Sequence, residues 1–195
     1  MPLPVAHGLV GASVVAVVDG ADACRNSGKR ILLGAALAIL PDVDFFFVWV
    51  IGLGANWHRG FTHSILFALI AALFVTLLAG EARLKGFIAY WLACLSHGAL
   101  DALTTKNNIG VEFWWPLCAI RYRTGAFDHW NYQMRMGQQD WWGFFTSALR
   151  ITMFEILAFT PVFLLALLVK SLRLKRTAAR AARRTTDDPI FLKER

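Results

Sequence analysis

The chain has 195 residues, of which 57% are apolar and only 17% charged, whereas charged residues make up about 25% of an average soluble domain. Together with a mean hydropathy of +0.50, this composition excludes most soluble enzymes, disordered proteins and nucleic-acid-binding modules. The net charge of +7 does not indicate a nucleic-acid partner, because seven of the 20 basic residues lie in the short run Lys170–Arg184, beside an apolar segment, where basic residues act first as a topology signal.

Five apolar segments follow one another along the chain, and a transmembrane helix needs about 20 such residues. The first, Val5–Val18, is short and lacks the basic flank and cleavage site of a secretory signal, so we expect it to be retained. The second, Ile31–Ala55, is interrupted at Pro41. The clearest spans are Ser64–Gly80, Phe87–Leu103 and Ile151–Val169. The sequence therefore predicts an all-α integral membrane bundle of four to five transmembrane helices, one of them broken at Pro41.

The basic residues predict the orientation of this bundle. A cytoplasmic C-terminus puts 14 Lys and Arg residues inside and six outside, which favours an outside N-terminus. We expect a membrane-embedded domain over residues 1–170 and a basic cytoplasmic tail over 171–195, which either binds anionic lipid or is only solvated. Residues 104–149 form an outer loop with five of the eight tryptophans. These tryptophans are interpreted as an anchor of the loop in the membrane interface, or as part of a lid over a site.

Three short motifs place ionisable groups in or beside the apolar segments, where such groups are costly and indicate function. In Ser96-His97-Gly98-Ala99-Leu100-Asp101, the histidine and aspartate share one helix face. They either bind a metal together or form a plain buried hydrogen bond. In Pro41-Asp42-Val43-Asp44, the two carboxylates exceed what a cap at a kink requires. They point to one ion only if the backbone is irregular there.

The third motif, His58-Arg59-Gly60-Phe61-Thr62-His63-Ser64, opens the third segment. Thr62 is predicted as its N-cap, which places His63 in the first helical turn. Arg59 is a fixed cation that could bind an anionic oxygen, or could extend to a lipid headgroup.

In the predicted topology these groups, with His7 at the outer end of the first segment, converge on the outer face of the bundle. A mixed set of histidines and aspartates suits zinc or another divalent transition metal. Two metals would suit the hydrolysis of phosphoesters or other esters. The candidate metal ligands are His7, Asp42, Asp44, His58, His63, His97 and Asp101.

The same residues, together with Phe113-Trp114-Trp115-Pro116-Leu117, resemble the YdjM-like family of LexA-regulated bacterial inner-membrane proteins, which are predicted metal-dependent hydrolases. The order of the ligands is more distantly similar to that of zinc-dependent phospholipase C and related single-strand nucleases. The N-terminal-residue ligand and the His-x-x-x-Glu of those enzymes have no counterpart here.

The resulting hypothesis is a hydrolase of the bacterial inner membrane that binds one or two divalent ions, most readily zinc, with manganese, nickel or iron as alternatives. One of Asp42 and Asp44 would be a ligand and the other the general base, and Arg59 would bind a phosphate oxygen. The expected partners are membrane lipids and a lipid or lipid-linked substrate. The alternatives are a metal or proton transporter, which the absence of an evident repeat disfavours, and an inert structural or regulatory protein.

Overall fold

The computed structural model of the protein describes residues 3–19, 27–54, 57–80, 83–104, 110–124, 126 and 141–186. Five α-helices account for most of them: α1 Pro4–Asp19, α2 Ser27–Ile39, α3 Ile65–Leu78, α4 Leu84–Thr104 and α5 Trp141–Thr186. Three helical stretches are long and apolar enough to cross a membrane: Ser27–Val50, Leu84–Thr104 and Trp141–Arg183. With α1 and α3 as shorter apolar helices, the prediction of an all-α membrane bundle is confirmed.

The break at Pro41 is also present. Helix α2 ends at Ile39, a 3-10 turn covers Leu40–Val43, and a π-helix covers Phe46–Val50. Proline at the start of the turn has no N–H to continue the α-helical hydrogen bonds, so the span continues with a different helical pitch. This irregular backbone allows the two nearby aspartates to reach different partners.

Helices α1 and α2 approach each other unusually closely, at positions where both have glycine. A Cβ at Gly11 would lie 2.3 Å from the Cβ of Ala38 and 2.5 Å from the carbonyl oxygen of Gly34. Small residues permit this approach, and membrane helices use them for that purpose. The consequence for the site is that the last turn of α2 lies against the bundle interior.

The connection into α3 differs from the prediction that Thr62 is its N-cap. Phe61–His63 forms a separate 3-10 turn, and Ser64 is the N-cap, with its Oγ accepting a hydrogen bond of 3.0 Å from the N–H of Phe67. Ser64 has the extended backbone that a cap requires (φ −78°, ψ 156°). Thr62 and His63 therefore lie ahead of the helix and point into the bundle, where both are buried.

The described part of the tryptophan-rich region is hydrogen-bonded to the chain around the start of α3. Its residues 110–124 are held to the connection before α3 by two backbone hydrogen bonds, from Glu112 to Arg59 (3.0 Å) and from Ile65 to Phe113 (2.9 Å). Helix α5 begins at Trp141, whereas the sequence predicts a loop that extends to residue 149. The helix therefore starts about ten residues before the apolar run Ile151–Val169. It passes residue 170 without a break. Trp130, and the tail beyond residue 186, lie outside the described residues.

Candidate metal centre

Imidazole and carboxylate groups from four parts of the chain meet at the end of the bundle where α1 begins and α4 ends. Two sets of three have potential ligand atoms that all lie within 4.8 Å of one another. One set is His7, His97 and Asp101, and the other is Asp42, His63 and His97. We call these five residues the His/Asp cluster. All are buried except Asp42, whose side chain is 12% exposed.

The spacing of these atoms fits a single ion. His97 Nε2 lies 3.0 Å from His63 Nε2 and 3.4 Å from Asp42 Oδ1. Asp101 places Oδ2 3.6 Å from His63 Nε2 and Oδ1 3.6 Å from His7 Nε2. Two ligands bound tetrahedrally at about 2.0–2.2 Å from zinc are separated by about 3.3–3.6 Å. The distances within the cluster are close to that separation.

The hydrogen bonds around the two central histidines determine which nitrogen of each ring bears a proton. His97 Nδ1 is 2.7 Å from the carbonyl oxygen of Ala38, which can only accept, so Nδ1 must donate. Thr62 Oγ1 donates to Asp44 (3.3 Å) and lies 3.0 Å from His63 Nδ1, so this Nδ1 also donates. In the neutral form, both Nε2 lone pairs then face each other across 3.0 Å, and a cation between them would relieve their repulsion.

His7 and Asp42 also have polar atoms without a hydrogen-bond partner. The ring of His7 stacks on that of His97, with centroids 3.8 Å apart. Within the described part of the chain, three buried atoms make no hydrogen bond: the two ring nitrogens of His7 and Oδ1 of Asp42. Buried polar atoms without a hydrogen bond are rare and costly. The donor set thus fits a divalent metal of the zinc type.

Arg59 forms an ion pair inside the bundle. Its Nε lies 2.8 Å from Asp101 Oδ2, and the two side chains are 6% and 0% exposed. The residue adopts a left-handed backbone (φ 63°), which is uncommon for a residue other than glycine. Arg59 therefore does not extend to a headgroup, and it balances the charge of a candidate ligand.

Asp44 and His58 form a supporting layer behind His63. The Nδ1 of His58 is 3.1 Å from both carboxylate oxygens of Asp44. Asp44 also accepts hydrogen bonds from the Arg59 N–H (2.9 Å) and from Thr62, and its Oδ2 is 3.5 Å from His63 Nδ1. Neither residue belongs to the two sets of three. This position suits orientation of His63 better than metal ligation.

His63 lies in the connection before α3, outside the spanning segments, and burial has the largest effect on the pKa of its ring. Desolvation lowers the pKa of His63 below its ordinary value, against the opposing influence of the carboxylates of Asp101 and Asp44. A lowered pKa keeps the imidazole neutral, which is the form that binds metal.

A cleft of about 140 Å³ opens at the connection that precedes α3. It is lined by Trp57, Gly60, Phe61, Glu112 and Trp115. Gly60 and Phe61 directly follow Arg59 and precede Thr62 and His63 in the chain, so the cleft and the cluster share one connection. The ring of Phe61 packs edge-on against that of Trp115, with centroids 5.1 Å apart, which makes the wall of the cleft largely aromatic.

Two features near the site were not predicted from the sequence. Glu155 in α5 is 1% exposed and accepts hydrogen bonds from backbone N–H groups at the start of α1. Thr62 links Asp44 to His63. A lone carboxylate within the apolar run Ile151–Val169 was a usable signal for Glu155, whereas nothing in the local sequence indicates the role of Thr62.

The fold and the site together define a membrane-embedded helical protein with a buried histidine and aspartate centre. The sequence matches the family described as YdjM inner membrane protein over residues 1–178, and the chain belongs to this family. The family resemblance and an inner-membrane location are thereby confirmed.

One curated relative is the Inner membrane protein YbcI of Escherichia coli (strain K12). It is 37% identical over 100 residues, which are 48% of this chain and 57% of that protein. No solved structure matches the chain.

Proposed function

We propose that the protein is a metal-dependent hydrolase of the inner membrane, with one divalent ion held by residues of the His/Asp cluster. The observation that supports this most strongly is the pair of Nε2 atoms of His63 and His97, 3.0 Å apart, each with its other ring nitrogen committed as a donor. The charges agree with a divalent ion. Among the described residues of the site, Asp42, Asp44 and Asp101 carry three negative charges, and the guanidinium of Arg59, which is paired with Asp101, carries one positive charge. With neutral imidazoles this leaves a net charge of −2.

When bound, such an ion acts as a Lewis acid and makes water a nucleophile near neutral pH. The residues of the chain have separate tasks around it. His63 and His97 bind through Nε2, and the partly exposed Asp42 completes the set on the accessible side. Asp101 is held by Arg59, and Asp44 orients His63. The proton acceptor for the reaction would be Asp42, through the carboxylate oxygen that does not bind the ion, because Asp44 already accepts hydrogen bonds from His58, Arg59 and Thr62.

The substrate class is proposed from the surroundings of the cluster. We infer a phosphoester or other ester of a lipid or lipid-linked molecule, which would reach the site from the outer face of the membrane. The aromatic cleft at the connection that carries His63 suits an apolar or amphipathic group better than a soluble, highly charged metabolite. Arg59 is paired with Asp101, so its contribution to phosphate binding would be indirect, through the position of this ligand.

The proposal is tested first by metal content. Protein purified in detergent is incubated with zinc, manganese, nickel or iron in turn, and bound metal is measured by mass spectrometry beside the variant His97→Ala. About one ion per wild-type chain and a large loss in the variant are expected. Hydrolysis of mixed phospholipids in nanodiscs is then followed, with His97→Ala as the inactive control. Wild-type protein that stays metal-free under all four conditions would overturn the proposal.

A further inference from the structure

Glu155 is a buried carboxylate that the proposed chemistry does not use. It lies in the apolar part of α5 and is 1% exposed. Its Oε1 accepts from the N–H of Leu3, and its Oε2 accepts from the N–H of Ala6 at 3.1 Å. Both donors belong to the first turn of α1 or precede it directly. One side chain therefore binds the beginning of another helix with both of its oxygens.

This contact meets a need that α1 cannot meet by itself. The first N–H groups of a helix have no carbonyl partner within the helix, and in an apolar bundle water does not replace that partner. Pro4 has no N–H, so one of these donors is missing from the start. The carboxylate satisfies two of the remaining donors and places its negative charge at the positive end of the helix dipole.

The position of α1 matters because His7 directly follows Ala6. His7 is fully buried, its ring stacks on that of His97 at 3.8 Å, and its Nε2 lies 3.6 Å from Asp101. A small displacement of the first turn of α1 would take this ring out of the cluster. Among the described residues, α5 contributes none to the two sets of three, and Glu155 is a polar link from α5 to this end of α1.

We propose that Glu155 is a positioning residue for the metal centre: it fixes the start of α1 so that His7 remains within the His/Asp cluster. The metal readout of this proposal rests on the proposed function, whereas the placement of His7 does not. The two are therefore tested separately.

The placement is tested without metal by the chemical modification of histidine. Protein in detergent with chelator is treated with diethyl pyrocarbonate, and modification of each histidine is followed by mass spectrometry. In Glu155→Ala, His7 should react about tenfold faster or more than in wild type, while His63 and His97 remain as protected as before. Glu155→Gln keeps one acceptor oxygen, so the reactivity of His7 in this variant should lie between that in wild type and that in Glu155→Ala. His7 that remains fully protected in Glu155→Ala would overturn the proposal, as would equal exposure of all three histidines, which would indicate general unfolding.

A matched control is available on the same helix. Lys170 is also buried, and its Nζ donates to Ser27 Oγ, about 22 Å further along α5 at 1.5 Å per residue. Lys170→Met removes a polar link of α5 at a distance from the cluster. It should leave the reactivity of His7 unchanged. An increase like that of Glu155→Ala would assign the effect to loosening of α5 in general and contradict the specific role of Glu155.

The link to the metal is tested with cobalt, whose visible spectrum reports the ligand set. His7 belongs to the set of three with His97 and Asp101. Glu155→Ala and His7→Ala should therefore each remove the contribution of that set to the spectrum of the bound ion, and the double variant should add nothing further. Additive changes would overturn the positioning role. If cobalt does not bind to wild-type protein, the proposed function fails, and the histidine modification still decides the role of Glu155.

Discussion

Replacing His97 with alanine removes the one side chain that the two sets of the His/Asp cluster share. The Nδ1 of His97 is committed to the carbonyl of Ala38, so its Nε2 is the nitrogen that faces His63 and Asp42. We therefore expect His97→Ala to abolish metal binding completely, rather than to weaken it.

The size of the effect can be worked out for thermal unfolding in detergent. A ligand present at one hundred times its dissociation constant stabilises the folded state by about 2.7 kcal/mol. In a chain of 150–250 residues, 1 kcal/mol shifts Tm by about 2–4 °C, so zinc should raise the Tm of wild type by roughly 5–11 °C. The variant should show no rise. For each protein, the Tm with zinc is compared with its own Tm in chelator. The stability that the variant loses with the His97 ring therefore does not enter the comparison.

His58→Ala is the matched control, because His58 contacts Asp44 but belongs to neither set. The variant should retain most of the rise in Tm with zinc, although the sequence motif predicts His58 as a ligand. A full metal-induced rise in His97→Ala would refute this reasoning, and so would its complete loss in His58→Ala.

Three further predictions follow from the packing and the charge distribution. Arg59→Met should destabilise the protein by about 3–5 kcal/mol, because it leaves a buried Asp101 without its ion-pair partner; in chemical unfolding, adding Asp101→Asn should recover part of the loss, and no recovery would contradict the pairing. Gly11→Ala should cost about 1–3 kcal/mol by overpacking α1 against α2, whereas Gly28→Ala, where a Cβ meets nothing within 4 Å, should be neutral or slightly stabilising by the same assay. Reporter fusions at residue 195 should place the C-terminus in the cytoplasm, and a periplasmic result would move the site to the other face.

Much of the fold could be predicted because membrane helices are specified locally. Long apolar runs without Lys or Arg locate α3 and α4 within a few residues, and Pro41 locates the break. The N-cap of α3 was misassigned because Thr62 and Ser64 are both good caps in sequence. The choice between them depends on the extended backbone of Ser64, which the fold as a whole sets.

The site was predictable as a set of residues, but their individual roles were not. Ionisable groups in apolar segments are costly wherever they lie, so His7, His97 and Asp101 could be singled out from the sequence alone. The partner of each group depends on tertiary contacts. The left-handed backbone of Arg59 and the 3-10 turn after α2 determine that Arg59 pairs with Asp101, and that Asp42 rather than Asp44 faces His97.

The hydrogen bond from His97 to the last turn of α2 would limit the number of ions that the proposed site binds. A ring nitrogen has a single lone pair, and the other nitrogen of His97 is engaged by Ala38. The two sets of three therefore compete for the same electron pair, and we expect them to be alternative binding positions for one ion rather than two occupied sites. Asp101, with one oxygen toward His7 and the other toward His63, lies between the two sets, so an ion could pass from one set to the other while it remains bound to His97.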